Sequence, residues 1–359
     1  MCKLLLLLAV PLLFNCENVP QYPQEQDDLI EMESVWQYLK AYSIYQDECV
    51  SGSSTTCHKR LRDNPFLYES TQEMMDLLYD TLGGVSYTKY GGESGSDAQT
   101  GSAIGLQNRS GSIYKDPRNV TYLQLTDATA LIRIPGFNTD LTYKQFAELL
   151  PGLKGRNLII DLCGDGGGDL DELDSILELF LPANTPYILA RERAWDSTTH
   201  KYHTVDFRPL TTKRPASPYL NDKKIIVLMD HWSASASEML ANALKDGCGA
   251  QLVGDTSYGK AIGQIKLPRR GRKWLQITFM QMKGITAGIY QNIGLKPDVL
   301  IDNIDIDSNR AHLLAVVKLL EPDVKLANIK WPSGLLRKSV SAEPQGYLVR
   351  DVQIDPSDL

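Results

Sequence analysis

Hydrophobic positions along the 359-residue chain fall into three textures. The first is one dense run, LLLLLAVPLL at residues 4–13, preceded by Lys3. It is shorter than the roughly 20 residues that span a bilayer and has the form of a signal-peptide core. The second texture is helical spacing. Ile30, Val35, Trp36, Leu39 and Tyr42 recur on one face, as do Met74, Met75, Leu78 and Tyr79 further on. This predicts a small N-terminal helical region over residues 29–90. A stretch rich in Gly and Ser (GGESGSDAQTGS) opens a linker at 91–114. The third texture begins near residue 115. Short runs with β-branched character (TYLQL, TALIRIP) and fully apolar runs (NLIIDL, KIIVLM) alternate with helical patterns at 142–150, 169–182, 235–246 and 308–320. Fully apolar short runs are the mark of strands buried on both faces. Strands alternating with helices predict an α/β core over 115–320. YILARERAW and KYHTVDF read as a hairpin inserted before KIIVLM. Residues 321–359 form a C-terminal extension without a chemical motif.

Composition narrows the function classes. With 37 basic and 44 acidic side chains the net charge is −7, so no excess positive charge exists to neutralise a nucleic-acid backbone. Six cysteines are too few for a disulfide-stapled scaffold. Cys16, just past the apolar run, predicts a lipidated mature N-terminus, with residues 1–15 removed and 16–28 as a polar tether; a plain secretory signal is the alternative. That arrangement implies a bacterial cell-envelope location, periplasm or outer surface, with membrane contact only through the anchor. Cys49 and Cys57 flank a flexible VSGSSTT loop; a bridge and two unpaired thiols are both compatible with it. Cys163 and Cys248 sit in apolar surroundings and read as buried hydrophobes.

Three segments carry candidate chemistry. In NLIIDLCGDGGGDLDELDSILELFL a buried strand enters a glycine-rich turn and then a helix. A dinucleotide loop would need Gly at position 169, which is Asp169. Asp165, Asp169 and Asp171 lack the spacing of a calcium loop. A plain strand-to-helix turn and an oxyanion-binding turn of exposed N–H groups remain. In IIVLMDHWSASASEMLANALKD a strand ends at Asp230 before a helix. Ser235 and Glu238 are spaced as a capping box. The same turn is also a place for a nucleophile, although G-x-S-x-G is absent and no elbow of that kind is indicated. In LVGDTSYGKAIGQIKL, Lys260 stands between Gly259 and Ala261. Desolvation among small neighbours lowers a lysine pKa and makes a neutral amine able to accept a serine proton.

Taken together, DLCGDGGG, SASASE, TSYGKAIGQ and GLKPDV resemble, in order and spacing, the C-terminal processing peptidases (tail-specific proteases), a family of Ser–Lys dyad serine peptidases. Lys260 follows Ser235 by 25 residues, and Gln264 follows Lys260 by four. The resemblance covers about residues 115–300. It implies a mixed-sheet, crotonase-like (ClpP/crotonase-type) α/β peptidase core. It implies Ser235 as nucleophile, Lys260 as general base and Gln264 as the group orienting that lysine. The oxyanion hole falls to the N–H groups of Gly168, or Gly167, and Ala236, and Asp246 matches an acidic position near the site. No cofactor or metal is implied, and the partners are protein or peptide substrates. Two departures stand beside the glycine turn: Cys163 replaces the family's arginine and Asp165 its asparagine. The first 115 residues leave no room for both the helical region and a PDZ module, so no PDZ domain is evident. The expected function is an envelope-located serine endopeptidase. The alternative is a catalytically impaired peptide-binding lipoprotein of the same fold.

Overall fold

The computed structural model describes residues 89–91, 119–268 and 274–330. Along the chain these form β1 (Lys89–Gly91), β2 (Thr121–Gln124), β3 (Thr129–Arg133), α1 (Thr142–Leu149), β4 (Asn157–Asp161), α2 (Leu170–Phe180), β5 (Pro186–Asp196) and β6 (Lys201–Thr211). There follow β7 (Lys224–Met229), α3 (Ala236–Cys248), β8 (Gln251–Gly254), β9 (Ile262–Pro268), β10 (Trp274–Lys283), β11 (Val299–Leu300) and α4 (Arg310–Leu320). The alternation expected from the apolar runs is therefore present, and its boundaries shift by one or two residues. The signal peptide, Cys16 anchor, tether, Cys49–Cys57 pair, nearly all of the helical region and most of the linker lie outside the described residues.

The larger of two compact units spans residues 101–265 and 279–358. Its main sheet has six strands in the order β11-β8-β7-β4-β3-β2. All neighbours are parallel except β2 and β3, which run antiparallel, so the sheet is mixed. Every residue of β4 is buried, as is every residue of β7 but Lys224, which is why NLIIDL and KIIVLM read as apolar runs; β3 is buried throughout as well. One face carries Leu131, Ile159, Ile226, Leu228 and Val253 against Leu313, Val316 and Val317 of α4. The alternate positions, Ile132, Leu158, Ile160 and Val227, are equally buried and point the other way. Helices α1, α2 and α3 pack in succession, with Phe146 and Phe180 in tilted ring contact at 5.7 Å. The inserted hairpin is β5 paired antiparallel with β6, and Leu189–Glu192 of β5 pair with residues 280–283 of β10.

The core runs on past residue 320. Glu321 accepts the hydroxyls of Thr126 and Thr129, and the Lys330 N–H donates to Leu125 O at 2.8 Å. Cys163 is buried as expected. Cys248 is only half-buried, because it ends α3, yet burial still pushes its thiol up to about 11. The smaller unit comprises residues 1–100, 266–278 and 359. Its described part pairs Lys89–Gly91 antiparallel with Trp274–Gln276.

A buried ion cluster closes the end of β3. Arg133 Nε meets Asp161 Oδ2 at 2.7 Å, and its Nη2 meets Asp307 Oδ1 at 2.7 Å. Asp161 also accepts the Cys163 N–H at 3.1 Å, so the cluster pins the start of the glycine turn. Replacing Arg133 by Met leaves Asp161 charged in the interior. Chemical denaturation of Arg133→Met is expected to show a loss of about 3–5 kcal/mol. A change below 1 kcal/mol would refute this role.

Candidate active site

The site is built where two neighbouring parallel strands end. β4 runs into the glycine turn and β7 into the serine turn, and hydrogen bonds stitch the two turns together. Ser233 Oγ donates to Leu162 O at 2.9 Å, and the Gly164 N–H donates to Asp230 Oδ1 at 2.9 Å. Asp165 O accepts both the Ala234 N–H at 3.0 Å and the Ser237 hydroxyl at 2.9 Å. Asp169, which breaks the dinucleotide pattern and was weighed above within a calcium loop, is the cap of α2. Its Oδ1 accepts the Asp171 N–H at 2.8 Å, and its Oδ2 accepts the Thr139 hydroxyl.

Ser235 occupies a backbone conformation of φ 58° and ψ −116°. For a residue with a side chain this is a strained position, costing on the order of 1–3 kcal/mol, and it persists only where the surroundings enforce it. The strained strand–turn–helix elbow is thus present without G-x-S-x-G. Of the capping box expected from spacing, the half that runs from the Glu238 side chain to the Ser235 backbone is made. Glu238 Oε2 accepts the Ser235 N–H at 2.9 Å, while Ser235 Oγ, fully buried, closes no hydrogen bond among the described residues. Sequence spacing found the serine but not the strain.

Gly167 lies flat against this turn. A Cβ there would sit 2.7 Å from Ala234 O, 2.8 Å from Ser235 Cβ and 2.9 Å from Ala236 N, and its φ is +96°. Only glycine fits both the space and the backbone angle. The Gly167 N–H is already given to Asp165 Oδ1 at 2.8 Å, and Gly167 O accepts the Phe137 N–H at 3.1 Å. Among the described residues the N–H groups of Gly168 and Ala236 have no such partner. Of the two glycines weighed from sequence, Gly168 is the one with its donor uncommitted.

Glu238 joins the serine turn to the lysine loop. Its carboxylate is 1% exposed. Besides the Ser235 N–H, Oε2 accepts the Lys260 N–H at 2.7 Å. Oε1 accepts the Gly259 N–H at 2.7 Å and the Ser257 hydroxyl at 2.5 Å. Burial pushes its pKa above the ordinary 4.5, and these four hydrogen bonds pull it back. Sequence reasoning saw Glu238 as a cap only; the lysine loop it holds is 19 to 22 residues away.

Lys260 and Gln264 are both buried, at 4% and 2% exposure, Gln264 within β9. Around the lysine, Asn292 N–H donates to Gly259 O at 2.7 Å and Ala261 N–H donates to Gln291 Oε1 at 2.6 Å. Asp246 is not a member of this cluster by any hydrogen bond given to it. It accepts from Asn242 Nδ2 at 3.2 Å and from the backbone and hydroxyl of Thr286, holding the turn at 284–288. His231 packs between the rings of Trp232 and Tyr258. No group of three or more His, Cys, Asp or Glu among the described residues is arranged to hold a metal.

Residues 128–301 match the model of Peptidase family S41. It is 31% identical over 218 residues to carboxy-terminal processing protease CtpB of Bacillus subtilis, covering 59% of this chain and 42% of that one. It is 28% identical over 175 residues to a carboxyl-terminal-processing protease of Synechocystis, covering 48% and 37%. The chain thus spans less than half the length of these curated relatives. A lipoprotein from Streptococcus agalactiae shares the fold with a TM-score of 0.54 at 15% identity, over 87% of this chain and all of that one.

Glu238→Gln tests the carboxylate hub. An amide nitrogen would face N–H donors on one side, so stability at pH 7 is expected to fall by about 3 kcal/mol. The pH dependence has a defined sign. A raised folded-state pKa makes the Glu238 contribution largest below about pH 4.5 and lost as pH rises through the folded value. The wild type is expected to show this decline in urea midpoints and Glu238→Gln to lack it. Identical pH profiles would refute it.

Proposed function

We propose that this S41 domain is a serine endopeptidase working through a Ser235–Lys260 dyad. The observation that carries the reading is the strained, buried Ser235 turn tied through one carboxylate to a buried lysine loop. Among the described residues Ser235 Oγ closes no hydrogen bond, so approach of the Lys260 amine to it is a step of the reaction. Neutral Lys260 takes the Ser235 proton, and the alkoxide attacks the peptide carbonyl carbon. The oxyanion is received by the N–H groups of Gly168 and Ala236, the latter at the N-terminus of α3, where the helix adds positive potential. Collapse of the tetrahedral intermediate expels the amine, which takes the proton back from Lys260. Water, deprotonated by the same lysine, then hydrolyses the acyl-enzyme. Gln264 orients the lysine side chain.

The mixed sheet with helices supports a crotonase-like core. The N-terminal apolar run ending at Cys16 supports a lipid-anchored protein of the bacterial envelope; among the described residues no helix is long and apolar enough to cross a membrane. Protein or peptide segments are the substrates. The second reading, a peptide-binding lipoprotein without turnover, draws on the unbonded Ser235 Oγ and the altered residues Cys163 and Asp165.

Cleavage of an unfolded protein separates the two. Ser235→Ala and Lys260→Arg are each expected to reduce turnover by about 10³-fold or more, since arginine keeps the charge but cannot give up its proton. The wild-type rate is expected to rise with pH on its acidic limb as the lysine deprotonates. Full activity in Lys260→Arg would eliminate the dyad. Equal product from wild type and Ser235→Ala would favour the binding protein.

A further inference from the structure

Lys260 is flanked by Gly259 and Ala261, which offer almost no side chain to pack. The direction in which the lysine leaves the backbone is therefore set by hydrogen bonds to its two peptide groups. The 259–260 peptide is held from both sides: the Lys260 N–H by Glu238 Oε2 at 2.7 Å, and Gly259 O by the Asn292 N–H at 2.7 Å. On the other peptide, the Ala261 N–H is held by Gln291 Oε1 at 2.6 Å. Ala261 is 1% exposed, so water does not readily replace that acceptor.

Gln291 is presented by a loop fixed at both ends. Gly284 and Gly288 form an antiparallel bridge, and Thr286 is bonded to Asp246 of α3. Tyr290 is buried, and its carbonyl accepts the N–H groups of Ile293 and Gly294 at 3.0 and 2.9 Å. The amide of Gln291 is oriented in turn, since its Nε2 donates to Asn292 Oδ1 at 2.9 Å. That leaves Oε1 as the end facing the lysine backbone.

We infer that Gln291 is a positioning residue for Lys260, aiming the amine at Ser235 through the Ala261 peptide. The inference rests on the dyad reading above. It differs from the role assigned to Gln264, which acts on the lysine side chain. Without the Gln291 oxygen, the buried Ala261 N–H has no acceptor. The 260–261 peptide then rotates toward another partner and carries the lysine Cβ with it.

The test compares wild type, Gln291→Leu and Gln291→Glu in steady-state peptide cleavage, in fluorophosphonate labelling of Ser235 across pH, and in thermal melting. Gln291→Leu is expected to lower kcat and the labelling rate by about 10- to 100-fold, with KM within about twofold of wild type. Gln291→Glu keeps an acceptor oxygen and is expected to recover most of the labelling rate at high pH. Its added carboxylate favours the protonated lysine, so the rising limb moves to higher pH. Glu238, the other carboxylate bonded to the lysine backbone, and the Tyr290 phenol are unchanged in both variants. Wild-type kcat and pH profile in Gln291→Leu would overturn the inference. So would a loss that follows the melting temperature and is not recovered in Gln291→Glu. If Gln291→Leu does not fold, an unshifted limb in Gln291→Glu overturns it and a shifted limb supports it. Failure of the dyad reading is distinct: wild type itself then shows neither cleavage nor labelling.

Discussion

A single carboxylate cut off from water organises the site. Glu238 accepts four hydrogen bonds, one from the serine turn and three from the lysine loop. Burying a carboxylate is costly, and that cost is offset only while all four donors converge on it. The interaction therefore works in both directions. The donors make the charge tolerable, and the charge makes the meeting of two remote loops obligatory. A loop at 257–260 that drifted away would leave an uncompensated anion inside the protein.

Strain is the second half of the same arrangement. Ser235 is held at positive φ by bonds on either side, from Ala234 to Asp165 O and from its own N–H to Glu238. Gly167 fills the concave side with nothing more than a main chain. Further back, the Asp161–Arg133–Asp307 cluster fixes where the glycine turn departs from β4. The strained residue is thus surrounded by constraints that come from three different segments of sequence.

Local pattern made the fold readable. NLIIDL, KIIVLM and the helical patterns from residue 142 onward each carry a local signal, and these became the expected elements in Asn157–Asp161, Lys224–Met229 and the helices around them. Ser235, Lys260 and Gln264 were singled out from spacing, and all three are buried. What stayed hidden depends on contacts between distant residues. Glu238 looks like a cap because its cap partner is three residues away and its lysine-loop partners are not. Gln291 carries no local signature, since the bond that defines it reaches back 30 residues, and the bond from Asp246 to the 284–288 turn reaches forward 40. The positive φ of Ser235 likewise follows from packing, not from its neighbours in sequence.

The stitching between the two turns leans heavily on main-chain atoms. Asp165 holds the serine turn through its carbonyl oxygen, and Ser233 anchors to the carbonyl of Leu162. Carbonyl groups are the same in every residue type. The hold that Asp165 O and Leu162 O exert on the serine turn therefore does not depend on which side chains stand at those two positions. Cys163 enters this frame through its N–H, which any residue but proline would supply, whereas the Asp165 carboxylate has a task of its own in holding the Gly167 N–H.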